Sequence, residues 1–486
     1  MPEAMPATDR LSGLDEAFLA LDTARSPMHV GWTIRFGGTP PTLAALRRHL
    51  DRRLHLVPRF RRRVVAPPLG LGDARWADDP GFDIARHVHA VVLPPPGGAA
   101  ELRELAGVLL AAPLDPARPL WQVHLVGGLQ PGGFALLGQV HHALVDGIAA
   151  IEVAMLLFGP EPEAGTLVFT PRPGRPLPVQ AAASVATRAL GLARVARQAA
   201  ASAGRPQDAV AGAQEVLRDA AGAAEGLLRP APTTSLDGSR TAAREVAFAT
   251  VGLDAVQEAG RRMGATVNDV LLAASSIALG RALRRRGESR EALKALVPVN
   301  IRGDDPASAQ GNKISFLAVD LPVSERDPIA VLERVRDDAR EAKSGHTPAP
   351  IAAALAAADL LPRRGRALAA RGVLRLTGFN LIISNVPGPP VELSLMGRPM
   401  QAIFPAVPIP DGHALTIGAL SYGGRLHIGL LADAAVVPDA VDVAREVEKA
   451  FDVLRVATLG APRPASPGPR RAAPRAQAAG QPAASR

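Results

Sequence analysis

The chain has 486 residues, which is enough for two domains with separate cores, and 47% of them are hydrophobic. It contains no cysteine, which excludes disulfides, thiolate zinc sites and cysteine nucleophiles. Of its formal net charge of +9, five charges are arginines in the C-terminal residues 461–486, and the chain has only 12 Phe, 3 Trp and 1 Tyr, so we expect no nucleic-acid partner.

The remaining charge and the hydropathy limit where the chain can act. Arginine outnumbers lysine 51 to 4, which we attribute mainly to coding bias. The modest basic excess outside the tail favours an anionic partner, such as a phosphorylated cofactor or a phospholipid surface. The N-terminus lacks the basic and apolar regions of a secretory signal, and the chain has no stretch of about 18 apolar residues. We therefore expect a cytoplasmic protein without a spanning helix.

The N-terminal part predicts helices alternating with short strands. Residues 11–19 have the pattern of a capped helical turn, and residues 30–36 alternate as in a half-buried strand. Residues 42–57 have apolar positions at helical spacing and arginines on the opposite face. We interpret that face as solvated; contact with a cofactor phosphate or a membrane is the alternative.

Short strands and turns continue over residues 76–89, followed by a helix over residues 101–110 and a strand over residues 121–126. Three histidines in this region lie at strand-like positions, without a partner at the spacing of metal ligands. We interpret them as structural and expect no metal site. These histidines are His87, His89 and His124.

The next strand ends in the motif His141-His142-Ala-Leu-Val-Asp146-Gly147. An apolar run, residues 134–140, precedes it and an amphipathic segment follows, so the order is strand, tight turn, helix. A histidine at the end of a buried strand can have one ring nitrogen anchored while the other faces a cleft, as a general base requires. Asp146 adds a carboxylate, and Gly147 permits close approach. Two histidines satisfied within a core are the structural alternative.

A segment of unusual composition divides the chain. Residues 161–178 are rich in proline and glycine, as is typical of a domain boundary. Residues 179–228 are rich in alanine and largely helical in pattern; we interpret them as a linker packed on the protein's own surface, with a membrane surface as the alternative. The predicted organisation is an N-terminal domain over residues 1–160, a partly helical linker over 161–239, a C-terminal domain over 240–460 and a disordered basic tail over 461–486.

The C-terminal half again alternates strands with amphipathic helices. Residues 381–389 predict a strand entering a rigid turn, and residues 415–431 predict a hairpin across two glycines. Asn268 and Asp269 stand at the start of an apolar helix, where such residues usually satisfy free backbone donors. Strands are also predicted over residues 297–302 and 313–319, and helices over residues 251–263, 266–283, 327–343, 351–375 and 440–454.

Several motifs together resemble one family. Their order and content are similar to those of the bacterial wax ester synthase/diacylglycerol acyltransferase family, within the CoA-dependent acyltransferase superfamily that includes chloramphenicol acetyltransferase and peptide-synthetase condensation domains. The HHxxxDG pattern alone defines only the superfamily, and the other motifs narrow the resemblance, which covers residues 9–457. These other motifs are Leu11-Ser-Gly-Leu-Asp15, Pro27-Met-His-Val-Gly31, Pro119-Leu-Trp121, Asn268-Asp269 and Ser384-Asn-Val-Pro-Gly-Pro389.

The resemblance implies an α/β (α+β) fold. Two chloramphenicol-acetyltransferase-like domains, each with a mostly antiparallel or mixed sheet flanked by helices, would enclose an active-site tunnel at their interface. Acyl-CoA would be a co-substrate, with no permanently bound cofactor, and the acceptor would be diacylglycerol or a long-chain fatty alcohol. Such substrates imply a peripheral position at the inner face of the cell membrane or on lipid droplets.

The resemblance also implies roles for the residues of the histidine motif. His142 would be the general base: its Nε2 takes the proton of the acceptor hydroxyl, and the alkoxide attacks the acyl-CoA thioester without an acyl-enzyme. His141 would support the turn. Asp146 would hold the loop by pairing with an arginine, for which Arg302 is our candidate, and Gly147 would permit close packing.

One implied role belongs to the second domain. Asn268 would orient His142 or donate a hydrogen bond to the oxyanion, in addition to or instead of capping its helix.

Other functions stay open at this point. One is an acyltransferase that uses another alcohol or an amine acceptor, although the chain has no carrier-protein domain. Another is a non-catalytic lipid-surface protein on the same fold, against which the intact His142 and Asp146 argue. Nucleic-acid binding rests on charge alone and is the weakest of these hypotheses.

Overall fold

Six continuous segments and three isolated positions are described by the computed structural model. Most of the predicted linker, most of the helix predicted over residues 351–375 and the basic tail lie outside them, as do Asp146 and Arg302. The described residues are 11–66, 74–145, 147–159, 230–300, 314–344 and 378–460, together with Gly365, Leu368 and Gly372.

The N-terminal half alternates helices and short strands, as its hydrophobic pattern predicts. Its helices are α1 (Gly13–Leu21), α2 (Leu43–Arg53), α3 (Ala99–Ala111) and α4 (Gly147–Phe158). Its strands are β1 (His29–Phe36), β2 (Arg62–Val65), β3 (Arg75–Asp78), β4 (Val88–Val92), β5 (Trp121–Gly127) and β6 (Phe134–His141).

One predicted element of this half differs from the structure. The helix predicted over residues 42–57 ends at Arg53, and its last part is replaced by short 3₁₀ helices, the second beginning at Pro58, which has no backbone donor for a helical hydrogen bond. Residues 82–87 form a turn and a 3₁₀ helix before β4, within the region predicted to contain short strands and turns.

The C-terminal half contains the elements predicted for its described residues and three further strands, β7, β11 and β12. Its helices are α5 (Leu253–Met263), α6 (Val267–Arg285), α7 (Pro328–Ser344) and α8 (Ala440–Gly460). Its strands are β7 (Arg244–Gly252), β8 (Leu293–Asn300), β9 (Ile314–Leu321), β10 (Leu381–Val386), β11 (Ser394–Leu395), β12 (Arg398–Ala406), β13 (Leu415–Tyr422) and β14 (Arg425–Asp433).

The boundary between β7 and α5 differs slightly from the predicted one. A helix is predicted from Val251, but Val251 pairs with Leu426 and Gly252 pairs with Arg425, so both residues belong to the strand. The ladder with β14 satisfies their backbone groups, and the helix begins at Leu253.

Two six-stranded sheets organise the described part of the chain. The first has the order β11-β12-β1-β6-β5-β4 and is antiparallel except between β4 and β5. The second has the order β7-β14-β13-β10-β8-β9, in which β10 runs parallel to both of its neighbours. Two mostly antiparallel, mixed sheets flanked by helices confirm the predicted fold class.

The strand β12 joins the two halves of the molecule. It belongs to the C-terminal half of the sequence but pairs with β1, so that Ile34 lies opposite Ile403 and Gly31 lies opposite Ala406. It also packs closely on the second sheet, because a Cβ atom added at Gly429 would lie 1.9 Å from the carbonyl oxygen of Pro405. The segment predicted as the C-terminal domain therefore supplies strands to both sheets.

Each sheet has its own hydrophobic core. In the C-terminal half, α6 is buried along most of its length and packs against α7 and α8, with Leu271, Leu272 and Leu279 fully buried. Burial of one such leucine side chain contributes about 1.5–3 kcal/mol. Among the described helices, none is by itself long and apolar enough to cross a membrane; α5 and α6 reach that length and composition only as a pair, bent by 98°.

Two local features form as their residue types predict. Ser12 and Asp15 exchange hydrogen bonds in a capping box that starts α1, which explains the first family motif as a helix N-terminus. Gly423 and Gly424 connect β13 and β14 with φ angles of 55° and 71°. This left-handed conformation of both turn residues suits glycine and matches the twist of a two-residue hairpin.

Candidate active site

The histidine motif begins at the end of β6, whose residues are all buried. The N–H of His141 donates a hydrogen bond of 2.9 Å to the carbonyl of Leu120. The N–H of His142 donates one of 2.9 Å to the carbonyl of Met28. Leu144 then donates from its N–H to the His141 carbonyl at 2.8 Å, which closes a tight turn. The backbone N–H groups of both histidines are thereby held by the segments that contain Leu120 and Met28.

The ring of His141 is fully buried, and each of its nitrogens lies near one polar atom. Nδ1 accepts a hydrogen bond of 3.0 Å from the N–H of Ala143. Because a backbone amide can only donate, the proton of the neutral ring lies on Nε2. That atom is 3.4 Å from Oδ2 of Asp22, a contact longer than an ideal hydrogen bond. His141 therefore braces the turn and has no ring nitrogen directed to a substrate.

Asp22 and His29 complete the surroundings of this buried ring. The His29 ring meets His141 edge-on, with ring centroids 5.7 Å apart. Burial, with the neighbouring His141, lowers the pKa of His29 to about 4, so His29 is neutral at neutral pH. Burial alone would raise the pKa of Asp22, but its contact with His141 and the N–H of Met28 lower that pKa below its ordinary value. Asp22 is therefore ionised.

The ring of His142 occupies the opposite side of the turn. It is partly exposed and stacks on the ring of Phe18, with centroids 4.0 Å apart and planes inclined by 14°. Phe18 belongs to α1, so this helix covers one face of the imidazole. Its placement beside a cavity distinguishes His142 from the buried His141.

A cavity of about 330 Å³ lies beside His142 and between the two halves of the molecule. Its walls in the N-terminal half come from α1, α4, β1 and the 3₁₀ helices after α2. Its walls in the C-terminal half come from β8, β10, β12 and β13. The volume falls within the usual range for small-molecule sites, which is about 300–1,000 Å³.

The described residues that line this cavity are almost entirely apolar. Apart from two indole rings, the polar side chains among them are those of His142, Ser384 and Asn385, and no Asp, Glu, Lys or Arg side chain is present. His142 is therefore the single titratable side chain among the described lining residues. An imidazole in such surroundings can exchange a proton with a bound ligand without competition from a neighbouring charge.

Ser384 and Asn385 belong to β10 and line the cavity, and a turn follows this strand. Gly388 packs directly against β13: a Cβ atom at this position would lie 1.7 Å from the carbonyl oxygen of Ser421. The N–H of Gly388 also donates to the Ser421 hydroxyl at 3.2 Å. The SNVPGP motif therefore has two parts. Its Ser384 and Asn385 line the cavity, and its Gly388 makes the close backbone contact that fixes the end of β10.

Two tryptophans form part of the cavity wall. Trp121, from the PLW motif, donates from Nε1 to the carbonyl of Phe60 at 2.7 Å and stacks on His87. Trp32, on β1, lies across Gly138 of β6. A Cβ atom at Gly138 would lie 2.2 Å from the Trp32 ring, so only glycine leaves room for this indole.

Replacement of Gly138 by alanine is expected to displace the Trp32 ring and to lower the free energy of unfolding by about 1–3 kcal/mol, as is usual for an overpacked core. Thermal unfolding, with tryptophan fluorescence as the probe of ring position, measures both effects. Gly252→Ala is the matched control, since a Cβ atom there meets nothing within 4 Å. Equal unfolding temperatures for the two variants would contradict this account.

The structure brings together only part of the predicted site. His142 lines the cavity, His141 lies behind it, and Gly147 begins α4. Asp146 and its candidate partner Arg302 lie outside the described residues, so their pairing stays a prediction. Residue types alone did not indicate a place in the site for Phe18, whose ring stacks on His142, for Asp22, which contacts His141, or for Ser384, which lines the same cavity as His142.

Asn268 is placed at the beginning of α6 and is not among the residues that line the cavity. The capping box of this helix is formed by its neighbours: Asp269 N–H donates to the Thr266 hydroxyl at 3.2 Å, and Thr266 N–H donates to the Asp269 carboxylate at 2.8 Å. Asp269 therefore has the capping role expected of it, and a catalytic role of Asn268 stays a prediction.

The histidines interpreted as structural lie away from the motif. His87 Nδ1 is 2.9 Å from the Trp121 carbonyl, and burial lowers its pKa. His89 and His124 are neighbours on the parallel strands β4 and β5, and burial lowers the pKa of His124 to about 4. Within the described residues, no group of three or more His, Asp or Glu side chains could hold a metal ion.

Comparison with known families gives two matches that together cover most of the chain. Residues 11–271 match the wax ester synthase/diacylglycerol acyltransferase catalytic domain, and residues 310–455 match the WS/DGAT C-terminal domain. A probable diacylglycerol O-acyltransferase from Mycobacterium tuberculosis H37Rv is 34% identical over 455 residues, covering 91% of this chain and 95% of the relative. A putative diacylglycerol O-acyltransferase from Mycobacterium bovis shows the same identity and coverage.

Solved structures with the same fold include a wax ester synthase/diacylglycerol acyltransferase from Marinobacter aquaeolei VT8. It is 25% identical, superposes with a TM-score of 0.65 and covers 92% of this chain and 99% of its own. The first condensation domain of the CDA synthetase superposes with a TM-score of 0.57 at 16% identity, covering 93% of this chain and 97% of its own, and shares the fold alone.

Proposed function

Because this chain belongs to the wax ester synthase/diacylglycerol acyltransferase family and is an acyltransferase, we propose that it transfers a long-chain acyl group from acyl-CoA to the hydroxyl of diacylglycerol, of a long-chain fatty alcohol, or of both. The products are triacylglycerol and wax ester. One observation carries the assignment of the reacting residue: His142 is the single titratable side chain among the described residues that line the cavity.

In the proposed reaction His142 is the general base. Its Nε2 accepts the proton of the acceptor hydroxyl while the oxygen attacks the thioester carbonyl carbon. The tetrahedral oxyanion collapses with cleavage of the carbon–sulfur bond, and the imidazolium returns the proton to the CoA thiolate. The chain has no cysteine on which an acyl-thioester intermediate could form, which supports direct transfer.

General base catalysis contributes about 10²–10⁴-fold, so the remaining acceleration must come from positioning and from stabilisation of the oxyanion. No charged side chain is present among the described lining residues, so the donors that these residues can offer the oxyanion are neutral. We propose the Ser384 hydroxyl and the Asn385 amide for this role, because both line the cavity. Asn268 is the alternative predicted from the sequence.

The character of the cavity wall supports lipid substrates. Transfer of one methylene group from water to an apolar wall contributes about 0.8 kcal/mol, so long acyl and alkyl chains gain binding energy in proportion to their length. An apolar wall also excludes water, which protects the thioester from hydrolysis while the imidazole is poised to deprotonate a hydroxyl. We propose that the cavity is part of a tunnel that admits acyl-CoA and acceptor from different sides.

The assay for this function follows release of free CoA. The purified protein is incubated with palmitoyl-CoA and, separately, with diacylglycerol or hexadecanol in mixed micelles, and a thiol reagent reports the released CoA. Because the protein has no cysteine, it gives no thiol background. Release that depends on either acceptor supports the proposal, and the products identify which acceptor is used. Absence of release with both would favour a non-catalytic lipid-surface protein.

The same assay, with other acceptors, distinguishes the proposed function from an acyltransferase that uses another alcohol or an amine. An acyltransferase for another alcohol or for an amine would release CoA with that acceptor and not with the two lipids. Since both proposed acceptors are insoluble in water, we also propose that the protein works at the surface of a membrane or lipid droplet. Flotation of the protein with phosphatidylglycerol vesicles that contain diacylglycerol tests this location.

A further inference from the structure

Asp22 lies at the junction of the helix and the turn that surround His142. It is the C-terminal cap of α1, and its N–H donates to the carbonyl of Phe18 at 3.1 Å. Phe18 is the residue whose ring stacks on His142. The backbone of Asp22 is therefore attached to the residue that covers one face of the imidazole.

The carboxylate of Asp22 is attached to the turn itself by two contacts. Its Oδ1 accepts a hydrogen bond of 3.0 Å from the N–H of Met28. The carbonyl of Met28 in turn accepts the N–H of His142 at 2.9 Å. The second carboxylate oxygen of Asp22, Oδ2, lies 3.4 Å from Nε2 of His141. These contacts form a closed ring through Asp22, Met28, His142 and His141.

The loop between Asp22 and Met28 has internal hydrogen bonds that keep this ring in place. The N–H of Ser26 donates to the Thr23 hydroxyl at 3.0 Å, and the N–H of Thr23 donates to the Ser26 carbonyl at 3.2 Å. The side chain of Asp22 is 31% exposed, so it is within reach of solvent while its partner His141 is not. Its position is set by the loop and by its two acceptor contacts.

Helix capping alone does not account for a carboxylate at this position. The C-terminus of a helix carries a partial negative charge, so an aspartate there is disfavoured by about 0.3–1 kcal/mol when exposed. Partial burial adds to that cost, yet the contacts with His141 and Met28 hold the pKa of Asp22 below its ordinary value. The contacts that stabilise the Asp22 carboxylate therefore come from the turn that contains His142, not from the helix that Asp22 caps.

We propose that Asp22 is a positioning residue for His142, an inference that rests on the proposed function of His142 as base. Through His141 and Met28 it fixes the backbone of the turn, and through Phe18 it fixes the ring against which the imidazole packs. It also fixes the tautomer of His141, because an ionised carboxylate beside Nε2 keeps the proton there and leaves Nδ1 free to accept the Ala143 N–H.

Asp22→Asn tests this role with almost no change in size. The amide oxygen can still accept from Met28, but the amide N–H₂ then faces the Nε2–H of His141, donor against donor. Moving the His141 proton to Nδ1 would remove the acceptor of the Ala143 N–H. We expect kcat for CoA release to fall about 10- to 100-fold, since a displacement of about 1 Å in a catalytic group costs on the order of 10²-fold, while KM for palmitoyl-CoA changes less than about twofold.

Asp439→Asn is the matched control. Asp439 is similarly exposed, at 32%, and pairs with Arg286 in the C-terminal half, away from the cavity. It should lower the unfolding temperature without changing kcat. If Asp22→Asn does not fold, Asp22→Glu replaces it, because this variant keeps the charge but moves the carboxylate outward by one methylene group, and the same loss of kcat is expected.

The outcomes are distinguishable. An unchanged kcat in the Asp22 variant, or a change confined to KM or to the unfolding temperature, would overturn the positioning role and leave the proposed function intact. If a wild-type rate persisted in His142→Ala, the proposed function itself would fail. A double variant with His141→Gln adds a further check, since residues of one ring of contacts should show effects that are smaller together than their sum.

Discussion

Replacement of His142 by alanine is expected to lower kcat for acyl transfer by about 10²–10⁴-fold, the range for loss of a positioned general base. The reason is the composition of the cavity wall: among the described lining residues no other side chain titrates, so none of these residues can take over the proton. The measurement is CoA release at saturating palmitoyl-CoA and acceptor, with thermal unfolding as the check of folding.

The matched control is His55→Ala. His55 lies in the same half of the molecule, bonds through Nδ1 to the Arg52 carbonyl and does not line the cavity. This variant should retain the wild-type kcat. If His142→Ala folded and kept a rate within about tenfold of the wild type, less than general-base catalysis contributes, the reaction would need a base from another part of the chain.

The local elements of this fold are predictable because they depend on near neighbours in the sequence. The alternation of residues 30–36 places Val30, Trp32 and Ile34 on the face of β1 that lines the cavity, and the two glycines of the β13–β14 hairpin are required by positive φ angles. The capping box of α1 is likewise a pattern of adjacent residues. Such features need no knowledge of the rest of the molecule.

Contacts between distant parts of the chain are not predictable in this way. Hydrophobic periodicity indicates that a strand is buried but does not identify its partner, so the pairing of β12 with β1 could not be inferred. The contact of Asp22 with His141 is of the same kind. One sequence signal was available: an aspartate shortly after the helical turn predicted over residues 11–19 opposes the helix dipole, which suggests a partner elsewhere.

Each family motif has a distinct structural role. The LSGLD motif starts α1, the PMHVG motif supplies the carbonyl that holds His142, and the PLW motif supplies the carbonyl that holds His141. Gly31 within PMHVG is required by packing, because a Cβ atom there would lie 2.2 Å from the Leu110 side chain. Much of the resemblance to the family therefore consists of residues that position the turn.

Replacement of Ala154 by phenylalanine is expected to shorten the acyl chain that the enzyme accepts. Ala154 lies on α4 and is one of the residues that line the cavity, as are Leu54 and Phe60. A phenyl ring there would displace about four methylene groups of a bound chain, at about 0.8 kcal/mol each. Since 1.4 kcal/mol is a factor of ten, kcat/KM for palmitoyl-CoA should fall by about 10²-fold, whereas octanoyl-CoA should lose less than about threefold.

The comparison of the two donors in one variant makes this prediction independent of enzyme concentration and of partial unfolding, since either would lower both rates equally. Leu156→Phe on the same helix is the control, because Leu156 is 38% exposed and does not line the cavity; its ratio of the two rates should equal that of the wild type. If folded Ala154→Phe kept the wild-type kcat/KM for both donors, the acyl chain would lie away from Ala154, along lining residues of the C-terminal half such as Leu296 and Phe316. The acceptor chain would then occupy the space along α4.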